Sequence, residues 1–272
     1  MPLILVTWQF LFVLWLGFCT STVSAADAPG SKRVKPLPAI ALIIDDLGNR
    51  REQGNRVVSL PGPVACAFLP YGRYTDLLAR QAHAHNKEVL LHLPMQAVEH
   101  APIMLGQGVL TLDMTEQQFR TTLDYDMAAV PYLSGLNNHM GSLLTRHPGT
   151  MAWLMDVIAQ RGDLFFVDSR TTNATVAEQL AVEYGIPNTA RNVFLDNVPT
   201  PAAVRAQFKK LVAMARRDGT ALGIGHPYPG TMEVLADELR RLEQQGVQLI
   251  PVSRLIERQN QEKPSWQASL SR

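Results

Sequence analysis

Two adjacent acids end an apolar run near the start of the sequence, in AIALIIDDLG, which spans Ala39 to Gly48. Neighbouring side chains on a strand point to opposite faces, so Asp45 and Asp46 need not share one structural reason. They could cap the turn that follows, or they could be reacting groups. The residues at the ends of the other apolar runs bear on this choice.

Further amides, imidazoles and acids stand where later apolar runs end. These are His92 in LLHLPMQ, Asn137, Asn138 and His139 in GLNNHMGS, Asp168 in FFVDSRT, and His226 in IGHPYP. Each has a purely structural interpretation, such as a core histidine at His92, an N-cap at Asp168 or a turn residue at His226. Carboxylates and imidazoles gathered in one place are costly to bury unless they are paired or hold a metal. A mixed Asp and His set suits a Zn²⁺-like cation, and a spare carboxylate beside it can accept a proton from water.

Other classes of function have less support in the sequence. There is no G-x-S-x-G elbow, Walker loop, C-x-x-C pair or H-E-x-x-H motif. A formal net charge of +1 and the lack of a basic stripe argue against a nucleic-acid partner. The mixed Asp and His set is therefore the best-supported chemistry.

The apolar runs are nearly continuous rather than alternating. They are AIALIID, VACAFLP, EVLLHLP, LSGLNNH, LFFVDS, TALGIGH and VQLIPVS. Such runs are typical of parallel strands covered on both faces, and segments of helical period separate them. The pattern predicts an α/β fold, a (β/α) barrel of about seven parallel strands, with an open doubly wound sheet as the alternative. Reacting groups in such a barrel collect at the carboxyl ends of the strands.

Capping signals bound several of the predicted helices. The signals are Thr200 and Pro201 before a helix that Gly219 ends, a capping box of Thr115 and Gln118, and a second box of Thr175 and Glu178. These signals predict where the helices between the strands begin.

Four segments are predicted along the chain. They are a signal peptide at residues 1–25, a flexible lead-in at 26–38, a barrel domain at 39–258 and a polar tail at 259–272. The apolar run FLFVLWLGFC is short for a bilayer span, and the small residues Val23 and Ala25 fit a secretory cleavage site. The alternative is an uncleaved N-terminal anchor. Cleavage predicts a periplasmic or secreted protein without stable membrane insertion, in which Cys66 has no disulfide partner.

The motifs IIDDLG, LLHLPMQ, GLNNHMGS, FFVDSRT and IGHPYPG, in this order, resemble the divergent polysaccharide deacetylase family of exported bacterial proteins. The resemblance spans Ala39 to Ile256. That family is a remote branch of the carbohydrate deacetylases, and the resemblance implies a distorted (β/α) barrel. It also implies a divalent metal, most simply Zn²⁺, and a carbohydrate substrate such as peptidoglycan or another envelope polysaccharide.

The resemblance implies roles for individual residues. Asp45 matches the base and Asp46 the metal ligand of the paired acids, and His92 matches the first histidine of an H-[ST]-x-x-H metal motif. Gln96 occupies the place of the second histidine. Either His139 from the next strand completes the metal set, or metal binding is weakened.

The remaining implied roles concern proton transfer and substrate. His226 matches the late catalytic histidine, and Asp168 falls near the acid that orients it. The predicted substrate contacts are Asn137, Asn138, Arg170 and Tyr228.

The sequence leaves two functions of different class open. The first is a metal-dependent deacetylase that removes acetyl groups from an envelope carbohydrate. The second is an inactive relative that keeps the cleft and binds a glycan or a protein partner, an interpretation that Gln96 favours. A glycosidase is disfavoured because the adjacent Asp45 and Asp46 should not flank a glycosidic bond.

Overall fold

Parallel strands alternate with helices through residues 36–99 and 106–262, which are the residues that the computed structural model describes. The strands are β1 (Ala39–Leu47), β2 (Ala65–Phe68), β3 (Val89–Met95), β4 (Leu133–Met140), β5 (Phe165–Asp168), β6 (Asn188–Ala190), β7 (Val193–Phe194), β8 (Thr220–Gly225) and β9 (Gln248–Leu249). The helices are α1 (Arg51–Val58), α2 (Thr75–Ala84), α3 (Glu116–Ala129), α4 (Pro148–Arg161), α5 (Ala177–Glu183), α6 (Pro201–Asp218), α7 (Pro229–Arg241) and α8 (Val252–Glu262). Two short 3-10 helices span Leu144–Arg146 and Glu243–Gln245.

The strands form one sheet whose order follows the chain. The order is β6-β5-β4-β3-β2-β1-β8-β7, with β9 beside the start of β1, and the paired strands are parallel. No reversal of strand order occurs between β1 and β6, whereas a doubly wound sheet requires one. β6 and β7 end the order and do not pair among the described residues, so the barrel is open there. The distorted (β/α) barrel is confirmed, and the doubly wound alternative is wrong.

Both faces of the sheet are buried, which is why the strand sequences are continuously apolar. On β1, Ile40, Leu42 and Ile44 pack in the outer layer between sheet and helices. The alternate residues Ala41 and Ile43 belong to a separate inner cluster inside the barrel. Each residue of the strand therefore meets apolar neighbours, as expected for parallel strands covered on both sides.

Helix α8 closes the barrel at the amino ends of the strands. Its residues Val252, Leu255 and Ile256 belong to the inner cluster. The carboxylate of Glu88, which precedes β3, accepts hydrogen bonds from the amides of Val252 and Ser253 at 2.6 and 3.1 Å. With this end of the barrel covered, the opposite end is left for a cavity.

The predicted elements match most of the observed ones. All seven apolar runs contain a strand, and the two strands that were not predicted, β6 and β7, are three and two residues long. The capping box of Thr115 and the Thr200 cap are present. The Thr175 box is wrong, because α5 begins after Val176 without a side-chain cap.

The predicted chain segments are covered only in part. The signal peptide at 1–25 lies outside the described residues, as do most of the lead-in at 26–38 and of the tail at 259–272. The compact unit that contains the barrel starts at Pro36. Among the described residues, no helix has the length and apolar character needed to cross a membrane.

Candidate active site at the carboxyl ends of the strands

A cavity of about 420 Å³ opens at the carboxyl ends of the strands. The predicted site residues that line it are Asp45, Asp46, His92, Asn138, His139, Arg170, His226 and Tyr228. The other two, Asn137 and Asp168, are fully buried and act on neighbouring side chains instead. The fold therefore brings together polar residues that are up to 183 positions apart in sequence, because the strands run parallel and end at one edge.

Asp45 and Asp46 both line the cavity although they are neighbours on β1. Strict strand alternation would send one of them to the outer layer. Asp46 departs from this alternation for two reasons. Its φ is 59°, a left-handed conformation, and the pairing of β1 with β2 shifts register between Ile44 and Leu47. Asp45 is buried, whereas the side chain of Asp46 is 35% exposed to the cavity.

Three ligand atoms meet in front of Asp46. Its Oδ1 lies 3.2 Å from His92 Nε2 and 3.0 Å from His139 Nδ1, and the two nitrogens lie 3.0 Å apart. These residues form a cluster with the composition of a metal site. Asp46 Oδ1 is buried and makes no hydrogen bond of regular geometry despite its two close neighbours. One carboxylate oxygen and two imidazole nitrogens that face a common point fit a divalent cation such as Zn²⁺.

Asn137 links the base candidate to this cluster. Its Nδ2 donates to Asp45 Oδ1 at 2.9 Å, which leaves its Oδ1 to accept from His92 Nδ1 at 2.9 Å. With the proton on Nδ1, the Nε2 lone pair of a neutral His92 points at the cluster, as metal-binding histidines require. Asn137 was predicted as a substrate contact, but the structure gives it this orienting position behind His92.

Gln96 stabilises the loop that follows β3. Its side-chain oxygen accepts the amide of Leu112 at 2.8 Å, and its backbone carbonyl accepts the amides of Leu143 and Leu144. The residue thus fixes the loop after β3 instead of reaching the cluster. His139, at the end of the neighbouring strand β4, supplies the third side chain of the cluster.

His226 is held by Asp196, a residue that the sequence interpretation missed. Asp196 Oδ1 lies 3.0 Å from His226 Nδ1, and its Oδ2 accepts the His226 amide at 2.6 Å and the Thr231 hydroxyl at 2.8 Å. Asp196 is itself buried. Its hydrogen bond fixes the proton on Nδ1 and turns His226 Nε2 toward Asp46, whose Oδ2 is 3.7 Å away.

The prediction that Asp168 orients His226 is wrong. Asp168 accepts the Arg170 amide at 2.7 Å and the Thr175 hydroxyl at 2.9 Å. These bonds shape the loop after β5, and the Thr175 hydroxyl also accepts the amide of Ala177 at 3.2 Å. The signal that could have located Asp196 is the short apolar stretch Val193–Leu195 before it, which is too brief to stand out as a strand.

Cationic and aromatic side chains form another part of the cavity wall. Arg170 lines the cavity and pairs with Glu178 at 2.7 Å, and Tyr228 packs beside His226 with ring centroids 5.4 Å apart. Arg191, also missed from the sequence, donates to the Ser169 and Arg170 carbonyls at 2.6 and 2.8 Å. Asn138 is largely buried and accepts the Ser169 amide at 2.8 Å, so its side chain mainly braces this wall.

Burial and charge have opposite effects on the pKa values of these side chains. Burial raises the pKa of Asp45, and His92 and His226 offset only part of that effect. Burial alone would lower the pKa of His92, but Asp45 and Asp46 outweigh it and raise that pKa to about 9. Burial would raise the pKa of Asp46, yet the two imidazoles hold it far below its usual range.

His226 follows the same balance. Burial lowers the pKa of its imidazole, but the hydrogen bond to Asp196 and the charges of Asp45 and Asp46 raise it more. A raised pKa favours the protonated imidazole, which is the state that a general acid needs.

A (β/α) barrel with acids and imidazoles around a cavity at its carboxyl end has the architecture of an enzyme. Comparison with known families makes the class specific. Residues 42–256 match the model of the divergent polysaccharide deacetylase family. The chain belongs to that family.

Individual proteins are similar to the chain over most of its length. The chain is 34% identical over 216 residues to an uncharacterized protein of Haemophilus influenzae, an alignment that covers 79% of this chain and 76% of the relative. It is also 34% identical over 217 residues to the uncharacterized protein YibQ of Escherichia coli K12, covering 80% and 67%. A crystal structure of an uncharacterized protein from Agrobacterium tumefaciens superposes with a TM-score of 0.78 at 21% identity, covering 84% of this chain and 92% of that one. This last likeness supports the fold.

Proposed function

We propose that the protein is a metal-dependent deacetylase that hydrolyses acetyl groups on a carbohydrate of the bacterial envelope. The observation that carries the proposal is the convergence of Asp46, His92 and His139 within 4.8 Å of one another, beside Asp45 and His226 in one cavity. Family membership supports the same reaction class.

Asp46, His92 and His139 would hold the cation. When bound, a divalent ion of the Zn²⁺ type activates water and polarises the carbonyl under attack. Gln96 is not required for this set, because His139 from the adjacent strand takes the third position. The geometry therefore weakens the reason for regarding the chain as an inactive relative.

Asp45 is placed to take the proton from the attacking water. Its Oδ1 is held by Asn137 at 2.9 Å, and burial raises its pKa, which makes the carboxylate a stronger base. The neighbouring Arg191 contributes positive charge that favours the ionised form of Asp45. A carboxylate in this position is a suitable general base.

His226 is placed to complete the reaction. Its Nδ1 is bonded to Asp196, so the proton available for transfer is on Nε2, the nitrogen nearer to Asp46. That proton goes to the amine or hydroxyl that leaves when the bond to the acetyl carbon breaks. Water supplies the oxygen of the released acetate, and the sugar keeps the proton from His226.

The location of the protein is part of the same proposal. An apolar segment with a cleavage-type end at Val23 and Ala25 precedes the barrel, and acetylated envelope polymers lie beyond the inner membrane. We place the mature protein in the periplasm or outside the cell. Mass spectrometry of the protein from the envelope fraction should give an N terminus near Ala26, and a full-length cytosolic product would contradict this.

The decisive experiment separates metal binding from turnover. The purified protein is loaded in turn with Zn²⁺, Mn²⁺ and Co²⁺, and acetate release is measured from acetylated peptidoglycan and chitin-type oligosaccharides. Asp46→Asn and His139→Ala are expected to lose bound metal, and activity with it. Asp45→Asn should keep stoichiometric metal but lose about 10²–10⁴-fold in kcat, because the amide cannot accept a proton.

Two results would reject the proposal. If both ligand variants retain full metal, Asp46 and His139 are not the ligands. If the wild type binds these glycans but releases no acetate with any metal, the protein is a binding member of the family, and Asp45→Asn should then leave its glycan affinity nearly unchanged.

A further inference from the structure

We propose that Phe194 is a positioning residue, whose ring fixes the plane of the His226 imidazole and so directs its Nε2 toward Asp46. The inference rests on the proposed function, because His226 is the proton donor of that reaction. Phe194 is the last residue of β7, and its side chain lines the cavity. Its ring contacts both His226 and Arg191.

The hydrogen bond to Asp196 does not by itself fix the imidazole of His226. Asp196 Oδ1 contacts one atom of the ring, Nδ1, at 3.0 Å. The torsion that turns a histidine ring about its bond to Cβ has broad preferences, so one contact leaves the plane of the ring free to rotate. Rotation would change the direction in which Nε2 points. Further contacts must therefore set this direction.

Two aromatic rings provide those contacts. The Phe194 ring lies with its centroid 5.3 Å from that of His226 and at an interplanar angle of 84°, which is an edge-to-face arrangement. Such arrangements are favoured between rings with a negative face and a positive edge. The Tyr228 ring lies 5.4 Å away at an angle of 32°. Tyr228 is 41% exposed whereas Phe194 is half-buried, so Phe194 is the better fixed of the two.

Phe194 is held by its backbone and by the face of its ring. Its backbone pairs with Ile224 of β8, and the amide of the next residue, Leu195, donates to the Ile224 carbonyl at 2.8 Å. The guanidinium carbon of Arg191 lies 4.9 Å from the centroid of the Phe194 ring, which is within the range of a cation–π contact. Arg191 is fixed in turn by its hydrogen bonds to two carbonyls of the loop after β5.

One short segment therefore supplies both contacts that set the state of His226. Phe194 ends β7, and Asp196 follows two residues later. Asp196 fixes the proton on Nδ1, and Phe194 fixes the plane of the ring. Together they keep Nε2 near Asp46, whose Oδ2 is 3.7 Å away.

The test removes the ring and keeps an apolar side chain. In Phe194→Leu, kcat for acetate release is expected to fall by about 10–100-fold, because a misplacement of about 1 Å in a reacting group can cost about 10²-fold. KM and the content of bound metal should stay at their wild-type values. Phe194→Tyr keeps the ring and should restore most of kcat.

The orientation of His226 can also be observed without turnover. In the metal-free protein, nuclear Overhauser contacts between the ring protons of His226 and Tyr228 report how these two rings face each other. The contacts should weaken in Phe194→Leu and return in Phe194→Tyr. Phe194→Met, whose unbranched side chain fills irregular space, is a second ring-free variant that serves if the leucine variant does not fold.

Tyr132 provides a matched control outside the cavity. Its ring stacks on that of His83 with centroids 4.0 Å apart, and the guanidinium carbon of Arg80 lies 5.7 Å from its centroid. Tyr132→Leu thus removes a ring that contacts a histidine and an arginine, without touching the cavity. This variant should leave kcat, KM and the contacts between His226 and Tyr228 unchanged.

The outcomes separate this inference from the proposed function. If Phe194→Leu raises KM and leaves kcat unchanged, Phe194 contacts the substrate instead of positioning His226, and the inference is overturned. It is also overturned if the ring-free variants keep both kcat and the contacts between His226 and Tyr228. If the wild type releases no acetate, yet the ring-free variants lose these contacts and Tyr132→Leu keeps them, the proposed function fails and the positioning role stands.

Discussion

Asp46 adopts a backbone conformation that residues other than glycine seldom take, with φ at 59°. Met140 and Arg170, which also line the cavity, are left-handed as well, with φ at 53° and 47°. Each of these three residues stands at or just after the end of a strand. Strained residues that cluster at one cavity are typical of functional sites, where the direction of a side chain is maintained at a cost in backbone strain. Here the strain at Asp46 lets two consecutive carboxylates line the same cavity.

The residue that orients His226 can be identified by its effect on the pH profile. Asp196→Asn removes the negative charge that raises the pKa of His226. A general acid works only while it is protonated. In a plot of kcat against pH, activity falls at high pH as His226 loses its proton, and in the variant this falling limb should move to lower pH. The drop in kcat should not exceed the about 10²–10⁴-fold contribution of general acid catalysis.

Asp168→Asn is the control for this change. Asp168 bonds to Arg170 and Thr175 rather than to His226, so its variant should keep the position of that limb. Thermal melting of both variants separates loss of fold from loss of orientation. A shift of the limb in Asp168→Asn but not in Asp196→Asn would restore the role that the sequence suggested for Asp168.

At the scale of elements, the sheet and its loops have different roles in forming the site. The strands bring the proposed reacting groups to one edge, and local hydrogen bonds stabilise the loops, as those of Gln96 do for the loop after β3. Helix α8 covers the other end of the barrel, where its first turn is held by Glu88. Stability and chemistry are thus placed at opposite ends of the barrel, as in other (β/α) barrels.

This division predicts that α8 can be weakened without touching the site. Glu88→Ala leaves the amides of Val252 and Ser253 without their carboxylate partner, and we expect a loss of about 1–3 kcal/mol in the free energy of unfolding. The steady-state constants for acetate release should not change below the melting transition. Urea unfolding followed by circular dichroism measures the first quantity.

Glu52→Ala provides the comparison for Glu88→Ala. Glu52 pairs with Arg56 one turn away on α1, and both side chains are exposed. Such a pair contributes less than about 1 kcal/mol, so this variant should unfold close to the wild type. An equal effect of the two substitutions would show that Glu88 does not cap α8.

At the scale of the whole molecule, one buried acid makes stability depend on pH. Asp126 on α3 is fully buried, and neither of its carboxylate oxygens has a hydrogen bond of regular geometry. Burial raises its pKa from 3.8 to about 8, and the nearby Tyr71 hydroxyl offsets only part of the effect. The folded protein therefore keeps a proton on Asp126 that the unfolded chain releases.

The sign of the pH dependence follows from that proton. Between about pH 4 and pH 8 the folded state binds the proton and the unfolded state does not, so the free energy of unfolding falls as pH rises. The contribution is at most about 1.4 kcal/mol per pH unit. Asp126→Asn has no carboxyl to titrate, so its stability advantage over the wild type should grow through this interval.

Denaturant melts at several pH values check this expectation. Asp124→Asn, an exposed site on the same helix, should follow the wild type throughout. A constant difference between Asp126→Asn and the wild type from pH 5 to pH 8 would show that Asp126 is already ionised in the folded protein.

The sequence alone determined the fold class and the location of the chemistry. Continuous apolar runs that alternate with segments of helical period are typical of a parallel sheet covered on both faces, and such a sheet places the carboxyl ends of its strands at one edge. This was enough to select Asp45, Asp46, His92, His139 and His226, which the structure brings to one cavity. Local capping signals such as Thr115 and Gln118 also fixed helix ends, because their partners are three residues apart.

Only the tertiary structure decided which partners the selected residues have. Asp196 lies 30 positions before His226 and follows a two-residue strand, so no local pattern joins the two. Asn137 and Asp168 have the same polar chemistry as the residues that face the cavity, yet packing turns them inward. The side-chain directions at the end of β1 depend on a left-handed residue and a register shift that periodicity does not contain. Contacts between distant segments are set by strand order and register, which become defined only when the barrel is assembled.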